Sequence, residues 1–242
     1  MSCVLIDSPL KLSFRIMIKI IGCSLFLFLS SESSFIYASE LVTDVDNYNG
    51  YNALHLSEIG LTHNVYDLAI KGFRKLEAEG KIQNQNVMTI VDYSQSSNQK
   101  RLYVIDLKNK KLLFNTYVAH GRKTGEEFAK TFSNCNGSYQ SSLGFYITQQ
   151  TVISPHTGFA LTLDGVEKGF NDNACKRAII MHGADYVSES FIKKNGRLGR
   201  SLGCPALPPE LNKPIIETIK GGTCLFVYNP DPVYLCRSTL LN

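Results

Sequence analysis

Between Val87 and Ala119 the chain carries three short apolar runs, Val87 to Val91, Leu102 to Leu107 and Leu112 to Ala119. Each is cut off by turn-forming residues such as Ser94-Gln-Ser-Ser-Asn98 or Lys108-Asn-Lys110. Runs this short are strands rather than helices, and consecutive strands joined by such breaks pair as a β-meander. Gly144 to Thr148, Ala160 to Leu163, Ala178 to His182 and Cys224 to Tyr228 fit further strands. Helical spacing is confined to three places. Val65, Leu68, Ala69, Phe73 and Leu76 share a face, with Asn64 or Thr62 as cap and Gly80 as stop. Tyr186 to Lys194 and Glu210 to Lys220 follow, the second ending on Gly221-Gly222 and shortened or kinked by Pro214. The expected fold is mostly β with a few peripheral helices.

A chain of 242 residues holds one sizeable domain and an extra segment. Its formal charge of +4 is small and forms no block, so the sequence offers no nucleic acid site. The first residues differ in kind. Lys11, Arg15 and Lys19 precede the apolar run Ile20 to Leu29, and the small residue Ala38 follows, with Ile36 two places before it, as the cleavage site. That layout predicts a secretory signal over residues 1–38 and a periplasmic or secreted protein, with an uncleaved anchor as the alternative. The apolar run is too short to span a membrane comfortably, so no stable insertion is expected after cleavage. Met17 is an alternative start. Residues 39–82 form a polar lead-in and the first helix, and residues 83–242 the main domain.

Two residues in Ile179 to Leu207 suit nucleophilic chemistry. His182 ends an apolar strand and is followed by Gly183; Cys204 sits in Gly203-Cys204-Pro205, where the chain turns sharply. A thiol titrates at about 8.5 and needs a base to react at neutral pH, so a cysteine nucleophile with a histidine base is the natural pairing. The backbone carbonyl of Gly183, or Asp185, is placed to orient the imidazole. Pro205 has no N–H, which leaves the amides of Cys204 and of Gly203 or Leu202 to hold an oxyanion. Arg200 and Arg197, just upstream, are candidates for a substrate carboxylate. After the signal, Cys135, Cys175, Cys204, Cys224 and Cys236 remain, an odd number that leaves at least one free thiol or an intermolecular bridge. Cys224 with Cys236 and Cys135 with Cys175 are possible disulfides; unpaired buried cysteines are the alternative.

The strand ending in His182-Gly183-Ala184, the later Gly199-Arg-Ser-Leu-Gly-Cys-Pro-Ala-Leu207 and the upstream Ser141-Ser-Leu-Gly-Phe-Tyr146 resemble the L,D-transpeptidase (YkuD-like) family. The likeness runs from about Val87 to Pro232 and is strongest to the murein L,D-transpeptidase catalytic-domain branch. It implies a β-sandwich-like catalytic fold over 83–242 and an enzyme acting on peptidoglycan stem peptides, with no cofactor. It implies Cys204 as nucleophile, His182 as base and Gly183 as the carbonyl that orients it. A thioester would form with release of D-Ala, and a carbapenem would form an adduct on Cys204. Stem crosslinking, D-Ala removal and D-amino-acid exchange all share that thioester. Two positions depart from the wider family: Leu202 replaces a second histidine and Ala206 an arginine or asparagine. Arg200, Ser201 and Leu202 are then the expected substrate contacts.

His120 and His156 lie beside predicted strands and are candidates to line the cleft. A zinc site built from Cys204, His182, His156 and another cysteine is a competing reading, but the close ligand spacing that such sites show is missing, so no metal is expected. A catalytically inactive wall-binding module is the other.

Overall fold

Val87–Asp92 (β1) and Cys224–Tyr228 (β8) are buried at every position, so both must be covered on both faces. Between them in sequence come Leu102–Asp106 (β2), Lys111–Thr116 (β3), Gly144–Ser154 (β4), Gly158–Gly165 (β5), Ile180–Gly183 (β6) and Ala206–Leu207 (β7). All eight belong to one hydrogen-bonded sheet in the order β3-β2-β1-β8-β4-β5-β6-β7. The pairs β1–β8 and β6–β7 are parallel and the others antiparallel. These details come from a computed structural model that describes residues 50–242, a single compact unit. The expected signal over 1–38, the alternative start at Met17 and the beginning of the lead-in lie outside the described residues.

The mostly β architecture is present, and its eight strands form one sheet that nearly closes on itself. Ala119, three residues beyond β3, exchanges two backbone hydrogen bonds with Ala206 of β7, at 2.9 and 3.3 Å. The two edges of the sheet thus meet, which leaves few unpaired strand groups there.

Helix α1, His63–Ala78, starts where the Thr62 hydroxyl accepts the Val65 N–H, and its Val65, Ile70, Phe73 and Leu76 are buried against β1 and β8. Burial of each such side chain contributes about 1.5–3 kcal/mol before entropy is counted. Helix α2, Glu189–Asn195, and helix α3, Pro209–Ile219, flank β7; α3 packs on β5 and β6. Pro214 lies inside α3, which nevertheless runs on to Ile219. A short helix α4, Pro232–Arg237, follows β8; its length falls below what apolar periodicity can reveal.

Several strand boundaries differ from expectation: β3 ends at Thr116 rather than Ala119, and β5 runs from Gly158 to Gly165 rather than from Ala160 to Leu163. β4 continues to Ser154 because a register shift between Thr148 and Thr151 breaks the alternation without ending the strand. β6 starts at Ile180 rather than Ala178, because Ala178 adopts the left-handed conformation at φ 51°.

Candidate active site

β6 and β7 pair in parallel with His182 opposite Ala206. The same register carried back two residues places Cys204 beside Ile180, and the Ile180 N–H donates to the Cys204 sulfur at 3.5 Å. Residues two apart on a strand share a face, roughly 6–7 Å apart, so Ile180, whose N–H meets the sulfur, stands on the face of β6 that bears His182. The thiol is turned to the backbone here and donates to the Ala178 carbonyl at 3.8 Å. The left-handed Ala178 is therefore one residue whose strain bears directly on the site.

His182 is buried, and its Nδ1 donates to the Gly183 carbonyl at 3.0 Å, which leaves Nε2 as the acceptor. Burial lowers its pKa and the Gly183 bond partly opposes that. Burial pushes the Cys204 thiol up, against the Ile180 N–H and the Arg177 charge, which pull it down. Both shifts favour a resting pair of neutral thiol and neutral imidazole. Asp185, the alternative orienter, has no part in the imidazole's bond; its carbonyl accepts from Ser188.

The turn that carries Cys204 is fastened from inside. Ser201 is buried; its hydroxyl donates to the Cys204 carbonyl at 2.6 Å and accepts the Gly203 N–H at 3.1 Å. The Gly203 amide is thus committed within the turn, and the amides of Leu202 and Cys204 are the ones left to meet an oxyanion. Gly203 has φ 131°, and a Cβ there would sit 2.9 Å from the Gln140 carbonyl, so no other residue fits easily. A Cβ on Gly121 would lie 3.0 Å from the Gly203 Cα. Ser141 closes the same junction: its hydroxyl accepts from the Gly121 N–H at 3.0 Å and donates to the Gly203 carbonyl at 3.1 Å. The motif around Ser141 is visible in the sequence; its bridging role is not.

The other expected contacts divide. Leu202 is 57% exposed next to the cysteine, an apolar wall open to solvent. Arg200 is held by Glu126 at 2.5 Å and by the Arg122 and Gly125 carbonyls, both at 3.1 Å, and Arg197 holds the other oxygen of Glu126 at 2.8 Å. His120 is buried away from the thiol: Arg101 donates to its Nδ1 at 2.8 Å, and its Nε2 donates to the Gly125 carbonyl at 3.2 Å. Burial first, then Arg101, brings its pKa down to about 3. Its backbone carbonyl accepts the Ser201 N–H at 2.9 Å, so it supports the turn rather than lining a cleft. His156 is exposed on the β4–β5 turn, four residues along from the β5 partner of His182. Among the described residues no three His, Cys, Asp or Glu side chains gather as metal ligands. The five cysteines among the described residues are unpaired, with Cys224 buried in β8 and Cys236 exposed on α4. Sequence reasoning passed over Arg177, whose position before β6 has no spacing signal.

Three solved structures illustrate the similarity found. L,D-transpeptidase 3 from Mycobacterium tuberculosis aligns at 13% identity with a TM-score of 0.38, over 60% of this chain and 61% of that one. An L,D-transpeptidase from Mycobacterium smegmatis gives 12% identity and 0.37, over 60% and 59%. One from Stackebrandtia nassauensis gives 20% and 0.34, over 68% and 65%. The chain thus spans less than two thirds of each. No curated protein matches it. The model of the L,D-transpeptidase catalytic domain matches residues 57–228, well over half the chain and all of the site just described, and the protein belongs to that family.

Proposed function

We infer that the protein is an exported cysteine acyltransferase of peptidoglycan stem peptides, with Cys204 as nucleophile and His182 as base. The observation that supports this reading is that the Ile180 N–H, two residues before His182 on β6, meets the Cys204 sulfur, while the His182 Nε2 is left to accept. The thiol rotates from the Ala178 carbonyl to the imidazole, and Nε2 takes its proton. Sulfur attacks the carbonyl carbon of the L,D bond between the third residue and the terminal D-Ala. The amides of Leu202 and Cys204 receive the oxyanion. The C–N bond breaks, the imidazolium returns its proton to the departing D-Ala amine, and a thioester remains. An acceptor amine then attacks the thioester, gives its proton to His182 and expels the Cys204 sulfur. Water as acceptor makes the reaction an L,D-carboxypeptidation, and a free D-amino acid makes it an exchange.

Arg200 and Arg197 are placed to bind a substrate carboxylate if it displaces Glu126. The basic, apolar and small-residue order of residues 1–38 supports export to the periplasm or beyond. A carbapenem would acylate the same sulfur.

The test is incubation of purified protein with tetrapeptide muropeptides, with products identified by mass spectrometry. Dimer formation or D-Ala release is expected with wild type and a loss of at least ~10³-fold with Cys204→Ala. Equal processing by the variant would overturn the reading in favour of an inactive wall-binding module.

A further inference from the structure

Arg177 stands in the turn that leads into β6. Its guanidinium donates to the Ser133 carbonyl at 2.7 Å, the Gln140 carbonyl at 2.6 Å, the Ser138 hydroxyl at 3.2 Å and the Ser142 hydroxyl. None of these acceptors is charged, and none of the ion pairs found among the described residues involves Arg177. Its positive charge is therefore well solvated by dipoles but not neutralised. The fork geometry explains the residue type: a planar guanidinium reaches four acceptors at once, and an ammonium cannot.

The charge also has a definite position. Nη2 lies 3.4 Å from where a Cβ would stand on Gly203, the residue before the cysteine. The Gln140 carbonyl that it holds is 2.9 Å from the same point. One side chain thus fixes the 133–142 segment, and that segment packs on the turn of Cys204. The titratable side chains whose charge reaches the thiol are the phenols of Tyr93 and Tyr186 and the Arg177 guanidinium, and His182 lies two residues along β6 from Ile180, whose N–H meets the sulfur. Both phenols are pushed up to about 12, chiefly by burial, and His182 rests neutral. Arg177 alone among them carries a charge at neutral pH. The two groups sense each other reciprocally, since Arg177 pulls the thiol's pKa down and the thiol raises that of Arg177.

We propose that Arg177 is an electrostatic positioning residue, slung across the 133–142 segment to hold a fixed positive charge beside Cys204 and sustain its thiolate. The proposal rests on Cys204 as the nucleophile. It gives the site a cation that the imidazole does not provide until it has taken the proton.

The experiment is iodoacetamide alkylation of the full protein across pH 5.5–10, about the ordinary thiol range. Modification is read at the Cys204 peptide by mass spectrometry, because Cys135, Cys175 and Cys236 are more exposed than the half-buried Cys204. Arg177→Gln is expected to move the rate profile to higher pH and to slow alkylation at pH 7 by roughly five- to tenfold. Arg177→Lys keeps the charge but not the fork of bonds that fixes it, so it is expected to fall between the two, slowed by no more than about threefold at pH 7. An unmoved profile in a folded Arg177→Gln protein overturns the proposal. So does an Arg177→Lys protein slowed by about fivefold or more at pH 7, an outcome that decides the matter even if Arg177→Gln does not fold. Alkylation needs no peptidoglycan, so failure of the transpeptidase reading and failure of this one are separate results.

Discussion

At the scale of single residues, burial without an opposite charge is the recurring condition. Arg101 is fully buried, gives three hydrogen bonds to the Val118 and Gln95 carbonyls, and lies 4.9 Å over the Tyr93 ring. It also donates to His120, which must stay neutral to accept. An unfolded histidine takes up its proton near pH 6.5, whereas His120 in the fold does so only near pH 3. Between those values the unfolded chain binds one more proton at this position, so stability falls as pH drops below about 6.5. By pH 5 this residue accounts for a loss of about 2 kcal/mol. Urea denaturation at pH 7 and pH 5 checks this: His120→Gln should shallow the decline, and an unchanged decline would refute the assignment. His182 is lowered in the same direction and adds to the same window.

At the scale of elements, the turn around Cys204 is held by hydroxyls rather than by its own strand, since β7 has only two residues. Ser201→Ala removes both bonds of that hydroxyl and leaves the buried Gly203 N–H without a partner, at a cost of about 1–3 kcal/mol. The melting temperature should fall by roughly 2–10 °C, and carbapenem adduct formation at Cys204 should slow by about tenfold as the turn loosens. Adduct formation at the wild-type rate would mean that β7 alone fixes the cysteine. Much of this organisation was legible in the sequence. Cys224–Tyr228 and the three strands of the meander declare themselves by apolar runs between turn residues, and Thr62 caps α1 as a threonine before a periodic stretch should. His182 and Cys204 stand out because of what flanks them. Less legible were features that depend on neighbours in space. The register shift hides the second half of β4, and the φ of Ala178 removes two residues from β6. The bonds of Arg177 reach residues 35 to 44 positions away, and Ser201, read as a substrate contact, spends its hydroxyl on its own turn.

At the scale of the whole molecule, the family match ends at Tyr228 while the fold does not. Glu167 is buried and accepts from the Phe145 N–H and the Tyr234 hydroxyl at 2.8 and 2.9 Å, and from the Ser238 hydroxyl. Tyr234, Leu240 and Leu241 join the core. Deletion of residues 232–242 would strip a buried carboxylate of two donors and take three apolar side chains out of the core, uncovering the surface they pack on. A loss of at least ~4 kcal/mol follows, measurable as a melting temperature lower by about 8 °C or more. A truncated chain that melts with the full one would show that the matched region folds alone.

The seam between Ala119 and Ala206 has one more consequence. It joins stretches that lie far apart along the chain, and such contacts form late because the intervening loop must first be ordered. Cys204 is two residues from that seam. Before it closes, the sulfur lacks the Ile180 N–H and the nearby Arg177 guanidinium. On the role proposed for Cys204, reactivity is conditional on completion: a chain caught half-made carries a dormant thiol until its last strands are in place.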